Sequence, residues 1–287
     1  MPIIAHISDL HFGSVNAPIA EALGAELRDV APDLLVVSGD LTQRGRRRQY
    51  AAAADYLAGL PRPQIVVPGN HDVPLFDVVR RFYFPLDRYR RHITADLSPF
   101  YRDDAIAVLG INTARSWMWS WKGFWRDGRI SAEQLLEVER CFSGIPAGVF
   151  KIVVTHHPFI PPPRRRVHGI VGGAPAALDV LRRCGVDMLL AGHLHTSYSG
   201  DVRPHYETIN CSILSVQAGS TISTRLRREP NAYNVIAING GDVTVTARSW
   251  AANRFVETSV TRYQKVGDIW QTPAPKPRVC SVPSPGG

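Results

Sequence analysis

The chain has 287 residues, enough for one large domain or two small ones. Hydrophobic residues make up 45%, as in an ordinary globular protein, and no apolar run approaches the ~20 residues that a membrane span needs. The formal net charge of +8 favours anionic partners such as phosphate esters, nucleic acid or membrane head groups, with bare solubility as the equal alternative.

Residues 3–8 (IIAHIS) read as a buried strand. In 18–30 the apolar residues Ile19, Leu23, Leu27 and Val30 recur at helical spacing. The run 33–40 (DLLVVSGD) is a second buried strand, 46–60 an alanine-rich helix ending near Gly59, and 64–72 (QIVVPGNHD) a third strand with its exit. Strands alternating with helices predict a layered α/β arrangement around a buried sheet. Residues 74–92 read as helical pieces broken by Pro85, and 105–113 as a strand. The stretch 116–128 holds four tryptophans and fits no regular element. A helix follows at 131–142, where Ser131 and Gln134 have capping-box spacing, then strands at 149–158 and 186–195. After residue 200 the segments 212–220, 233–240, 242–250 and 255–263 read as consecutive strands, two of them joined by Gly240-Gly241. The expected organisation is one unit over 1–271, with strands of about 205–263 completing a second sheet, and a Pro/Ser/Gly-rich tail at 272–287 without fixed structure.

The four cysteines, Cys141, Cys184, Cys211 and Cys280, form no C-x-x-C pair, which excludes zinc-ribbon and thioredoxin motifs and suits a reducing compartment. No basic segment leads into an apolar run at the start, so no signal peptide is expected and a cytoplasmic location is.

The strand ends carry the chemistry. The first ends at Asp9-x-His11 and the second at Asp40. The third ends at Asn70-His71-Asp72, and two later ones at His156-His157 and His193-x-His195. Singly, each has a bland reading: an Asp after Ser-Gly makes turns, and a His-x-His pair arises on surfaces by accident. Five together, each directly after an apolar run, deliver Asp, Asn and His to one edge. In α/β sheets, ligands bind beyond the carboxyl ends of strands.

The blocks DLH, GDLTQRG, GNHD, THHP and GHLH, in this order and spacing, resemble the calcineurin-like metallophosphoesterases over roughly residues 3–200. The resemblance implies a four-layer α/β/β/α sandwich of two mixed β-sheets flanked by helices. It also implies two divalent or trivalent metal ions per chain. One would be held by Asp9, His11, Asp40 and His195, the other by Asp40, Asn70, His156 and His193, with Asp40 as the bridge. His71 is implied as a catalytic residue beside the substrate, stabilising the phosphoryl group or protonating the leaving oxygen. Asp72 is expected to orient His71 or its loop, with a helix cap before Pro74 as the alternative. Oxygen and imidazole donors without thiolate suit manganese, iron, zinc or cobalt and disfavour Cu(I). In such sites two ions ~3.5–4 Å apart acidify bound water and clamp the attacking and leaving oxygens at phosphorus. No G-x-S-x-G elbow and no G-x-x-x-x-G-K-[ST] loop competes with this reading.

Protein Ser/Thr phosphatases of this superfamily carry Asp-Arg-Gly after the GD block, and GNHE. Here Gln43-Arg44-Gly45 and GNHD stand instead, which looks more like the bacterial cyclic-nucleotide and glycerophosphodiester phosphodiesterases. The expected function is therefore hydrolysis of a small phosphodiester. The alternative is a hydrolase of a lipid-linked diphosphate of the UDP-diacylglucosamine type at a membrane surface. A non-catalytic scaffold would show decayed ligands, and none is missing. A nuclease of the superfamily would need a coiled-coil insertion that is not evident, so no stable nucleic-acid complex is expected. Arg164, Arg165 and Arg166 follow the THHP block and would meet a second phosphate or a base, or form a solvated charge run. The tryptophan stretch would be a substrate lip, a peripheral membrane contact, a homodimer contact or a cover for the core.

Overall fold

The computed structural model describes residues 1–116, 127–162, 169–206, 212–226 and 229–273. The tryptophans of 117–126, the arginines Arg164, Arg165 and Arg166, and the tail beyond 273 lie outside the described residues.

Two sheets form the middle of the molecule. The first has the order β13 (Ile269–Gln271), β12 (Arg254–Val266), β11 (Asp242–Ala251), β10 (Ala232–Asn239), β1 (Ile3–Ile7), β2 (Leu34–Val37), β3 (Gln64–Val66). The second has the order β4 (Phe100–Arg102), β5 (Ile106–Gly110), β6 (Phe150–Val154), β7 (Met188–Ala191), β9 (Leu214–Gln217), β8 (Tyr198–Asp201). Strands β1, β2 and β3 are parallel, as are β5, β6, β7 and β9. The remaining pairings are antiparallel, so both sheets are mixed.

The layers follow from strand periodicity. Alternate residues of a strand point to opposite faces, and here both faces are apolar. Ile4, Leu34 and Val36 meet Val108, Ile152 and Leu190 between the two sheets. Their neighbours Ala5, Ile7, Leu35 and Val37 pack on Leu23 and Leu27 of α1 (Ala17–Val30) and Tyr50 and Leu57 of α2 (Arg47–Ala58). On the far side Leu109, Val153 and Leu189 pack on Val138 and Phe142 of α5 (Ala132–Phe142) and Leu178 and Leu181 of α6 (Ala174–Arg183). Each such side chain contributes about 1.5–3 kcal/mol of burial. The result is the expected α/β/β/α sandwich.

Pro85 separates α3 (Val78–Tyr83) from α4 (Asp87–His92), as its position predicts. The Ser131–Gln134 capping box is present at the start of α5. Gly240-Gly241 is the two-residue turn between β10 and β11, with Asn239 paired to Asp242 and Gly240 at φ 57°. Four elements escaped the sequence reading: β4, β8, β13 and α6. The three strands have three or four residues each, too few for a pattern. Helix α6 starts on Gly173 at φ 83° with a proline in its first turn, after a loop of mixed composition. Among the described residues no helix is long and apolar enough to cross a membrane.

Candidate metal centre

The carboxyl ends of the parallel strands meet at one rim, and the backbone there is strained. Asp9, His11, Asp40, His193 and His195 have φ of 53°, 52°, 52°, 70° and 55°. They are five of the eight non-glycine residues with positive φ among the described residues. The left-handed region costs an L-residue about 1–2 kcal/mol, and such strain collects where side chains must be aimed. Inter-strand hydrogen bonds hold the exits in place: Asp9 N donates to Gly39 O at 3.1 Å and His11 N to Asp40 O at 2.9 Å. Gly39 itself has φ 93°, and a Cβ there would lie 2.6 Å from His156 Nδ1. A side chain on Gly69 would strike Asp40 Oδ1. These two glycines of SGD and GNHD are required because an imidazole and a carboxylate press on the backbone.

All seven expected ligands converge. Asp9 Oδ1 lies 3.7 Å from His11 Nε2 and 3.6 Å from His195 Nε2. Asp40 Oδ2 is 3.8 Å from His11 Nε2, while Asp40 Oδ1 is 3.3 Å from His156 Nε2. His156 Nε2 is also 3.2 Å from Asn70 Oδ1. The His193 ring stands 5.1 Å from that of His156, centroid to centroid. Three groups, Asp9–His11–His195, Asp9–Asp40–His156 and His156–His157–His193, each offer ligand atoms within 4.8 Å of one another. His157, which no block required as a ligand, joins the last group, and its Nδ1 is 2.8 Å from Thr113 Oγ1.

The surrounding atoms orient these donors. His156 Nδ1–H donates to the Ser38 carbonyl at 2.7 Å, which leaves Nε2 facing the cluster. Asp9 Oδ2 accepts from Ser8 Oγ at 2.8 Å and from His193 N at 3.0 Å, so Oδ1 is turned inward. His195 Nδ1 meets Ser220 Oγ.

The Asp72 carboxylate accepts from the backbone N–H of Leu41 (3.1 Å), Thr42 (2.8 Å) and Gly69 (2.9 Å), and from Thr42 Oγ1 (2.9 Å). It ties the GDLT loop to the GNHD loop. Of the two roles expected for Asp72, orienting His71 or its loop, these four donors match the loop. Burial and Asp40 push Asp72 up to about 6 against the backbone donors. The His71 ring is held instead by the Gln43 carbonyl, 2.9 Å from Nδ1, and by Arg225 Nη1, 3.1 Å from Nε2. His6, left aside in the sequence, is a buried structural residue paired with Ser38 Oγ at 2.9 Å.

Electrostatics fit a cation. Burial drives His11 down to about 4. Burial, with His157 and His156 beside it, drives His193 well below the ordinary imidazole value. At His156 the burial effect is outweighed by Asp40, which holds the imidazole up at about 9. Asp40 stays well below the usual carboxylate range, since His156, His71 and His11 outweigh its burial. Burial pushes Asp9 up. These shifts favour charge on the Asp40–His156 pair and the neutral form of His11 and His193. Asp9 Oδ1, Asp40 Oδ2 and His11 Nε2 are buried without a hydrogen-bond partner among the described residues. A buried orphan carboxylate oxygen is costly, and metal ions among these three atoms would satisfy all of them.

The family model of the calcineurin-like phosphoesterases matches residues 3–197. A probable cyclic nucleotide phosphodiesterase of Synechococcus is 27% identical over 209 residues, covering 68% of this chain and 74% of that protein. A glycerophosphodiester phosphodiesterase of Enterobacter lignolyticus is 40% identical over 82 residues, covering 24% of this chain and 29% of that protein. Among solved structures, a dimetal phosphatase from Danio rerio has the same fold, with a TM-score of 0.61 at 15% identity over 90% of this chain and 99% of that one.

Proposed function

Because the chain belongs to the calcineurin-like phosphoesterases, metal-dependent hydrolases of phosphate esters, we propose that its rim cluster holds two metal ions and cleaves a small phosphodiester. The observation that carries this reading is the set of buried, unpartnered atoms Asp9 Oδ1, Asp40 Oδ2 and His11 Nε2, which face one another across the strand ends. Asp9, His11, Asp40 and His195 would hold one ion, and Asp40, Asn70, His156 and His193 the other. Manganese, iron and zinc all suit these donors. Held by these residues, two dications would supply acidification of water and charge for the attacking and leaving oxygens of an in-line displacement.

The chain's own groups do the rest. Ser38 O keeps the His156 proton on Nδ1, so that Nε2 offers its lone pair inward. Asp72 locks the two loops that carry Asp40 and His71. His71, with Nδ1–H given to Gln43 O, turns Nε2 toward Arg225. Arg164, Arg165 and Arg166 are proposed to meet a remote phosphate or base, on their place after the THHP block. GNHD, the absent Asp-Arg-Gly and the names of the relatives all support a diester. A diester also carries one negative charge, so as a substrate it holds the ions less tightly than a monoester dianion would.

The test is a hydrolysis panel on manganese-loaded protein: bis-p-nitrophenyl phosphate, p-nitrophenyl phosphate, cyclic AMP and glycerophosphodiesters. Diesters should be cleaved faster. A clear preference for p-nitrophenyl phosphate would contradict the reading.

One observation favours a second reading, the lipid-linked diphosphate. Phe76, Val79 and Tyr83, shortly after His71, are 67%, 69% and 75% exposed, and the Arg44 guanidinium stands 5.3 Å from the Phe76 ring centre. Apolar and cationic groups side by side suit a membrane surface. Faster turnover of a nucleotide-linked lipid in vesicles than of any soluble diester would select it.

A further inference from the structure

Arg225 belongs to none of the five sequence blocks, yet its side chain reaches the rim. Its Nη1 is 3.1 Å from His71 Nε2, and the other ring nitrogen, Nδ1, is 2.9 Å from the Gln43 carbonyl oxygen. A guanidinium has only N–H donors, and a carbonyl oxygen has only lone pairs. The two contacts have one joint solution: Nδ1 carries the proton and donates to Gln43, and Nε2 accepts from Arg225. The two contacts together select one tautomer of the His71 ring.

The segment under Arg225 is fastened down. Asn16 N donates to Ile222 O at 2.8 Å and Thr224 N to Ser14 O at 2.7 Å. Asn231 Nδ2 donates to Ser223 O at 2.9 Å, and Arg225 N to Ser223 Oγ at 3.0 Å. Residues 222–225 are thus stitched to 14–16, three to five residues after His11. Among the described residues no carboxylate pairs with Arg225, and its side chain is partly exposed. A fixed cation whose partner at the rim is a single imidazole nitrogen is poorly satisfied. A phosphate oxygen is the stronger acceptor, because it carries negative charge and suits the planar fork of a guanidinium.

We propose that Arg225 is a phosphate-binding residue of this site, resting on His71 Nε2 until an ester arrives and then moving its N–H donors to the phosphoryl oxygens. The move uncovers Nε2 beside the bound ester. Anion capture and the exposure of His71 become one event. The proposal rests on the phosphoesterase reading of the rim.

Inorganic phosphate is the probe. Its dissociation constant is measured by calorimetry on the metal-loaded wild type and on Arg225→Ala, Arg225→Gln and Arg225→Lys, with metal content and melting temperature read on the same samples. Ala and Gln should each weaken phosphate by about tenfold, the size of one charge-assisted hydrogen bond. Both should raise KM for bis-p-nitrophenyl phosphate more than they lower kcat. Lys keeps the charge without the planar fork, so its loss should be smaller. Metal content should match wild type in all three, which a merely structural role at the rim would not predict. Phosphate affinity in Ala and Gln within threefold of wild type overturns the proposal. A wild type that neither binds phosphate nor cleaves either ester overturns instead the reading on which it rests.

Discussion

The backbone N–H of His71 donates to Asp40 Oδ1 at 2.9 Å. The carboxylate proposed to bridge two metals therefore also fixes the main chain of His71. Asp40→Ala should lower metal content to less than one ion per chain and turnover by ~10³ or more, since bridging, water activation and loop position fail together. Metal analysis and kcat on bis-p-nitrophenyl phosphate check this. Two ions and normal turnover in the variant would remove Asp40 from the centre.

His71→Ala should keep both ions, because the ring is held by Gln43 and Arg225 and lies outside the ligand groups. Turnover should fall about tenfold, the size of the charge-assisted contact that seats Arg225. Nε2 faces an arginine donor, so the ring has no proton there to give. The loss should then be similar for esters with good and poor leaving groups. A loss confined to poor leaving groups would instead assign His71 as general acid.

Metal affinity should depend on pH through His156. Asp40 holds that imidazole at about 9 in the metal-free chain. Below about 9 the ion must displace its proton, so apparent affinity should fall by up to tenfold per unit as pH drops. Calorimetry from pH 8.5 to 6.5 in buffers of different ionisation enthalpy measures both the affinity and the released proton. A flat profile without proton release would refute it.

Stability should be acid-sensitive through His6. Burial lowers this imidazole to about 3, so the folded state favours its neutral form. That contribution is full above the unfolded value near 6.5 and is lost as pH falls toward 3, by up to about 1.4 kcal/mol per pH unit. Urea unfolding of wild type and His6→Gln at pH 7.5 and 5.0 separates it. The variant should lose less stability between the two pH values. An equal loss would acquit His6.

The ligand blocks are legible because each donor lies within a few residues of an apolar strand, so local patterning places it at the rim. Asp9, Asp40 and His156 needed no long-range information. Arg225 did, since its contact with His71 spans 154 residues and depends on how 222–225 is tied to 14–16. The main-chain acceptors Ser38 O and Gln43 O leave no side-chain signature at all. Asp72 was visible as a site residue, but the choice between His71 and the loop was not: it depends on three donors from the GDLT loop and one from Gly69. In the fold, β1, β2 and β6 announce themselves by being apolar on both faces. β8 (Tyr198–Asp201) includes a Gly-Asp pair of low strand propensity and exists because β9 pairs with it.

The most direct measurement is anomalous diffraction from crystals grown with manganese. The account predicts two peaks ~3.5–4 Å apart at the rim, with the Asp40 carboxylate between them. A single peak, or a pair that Asp40 does not touch, would contradict it.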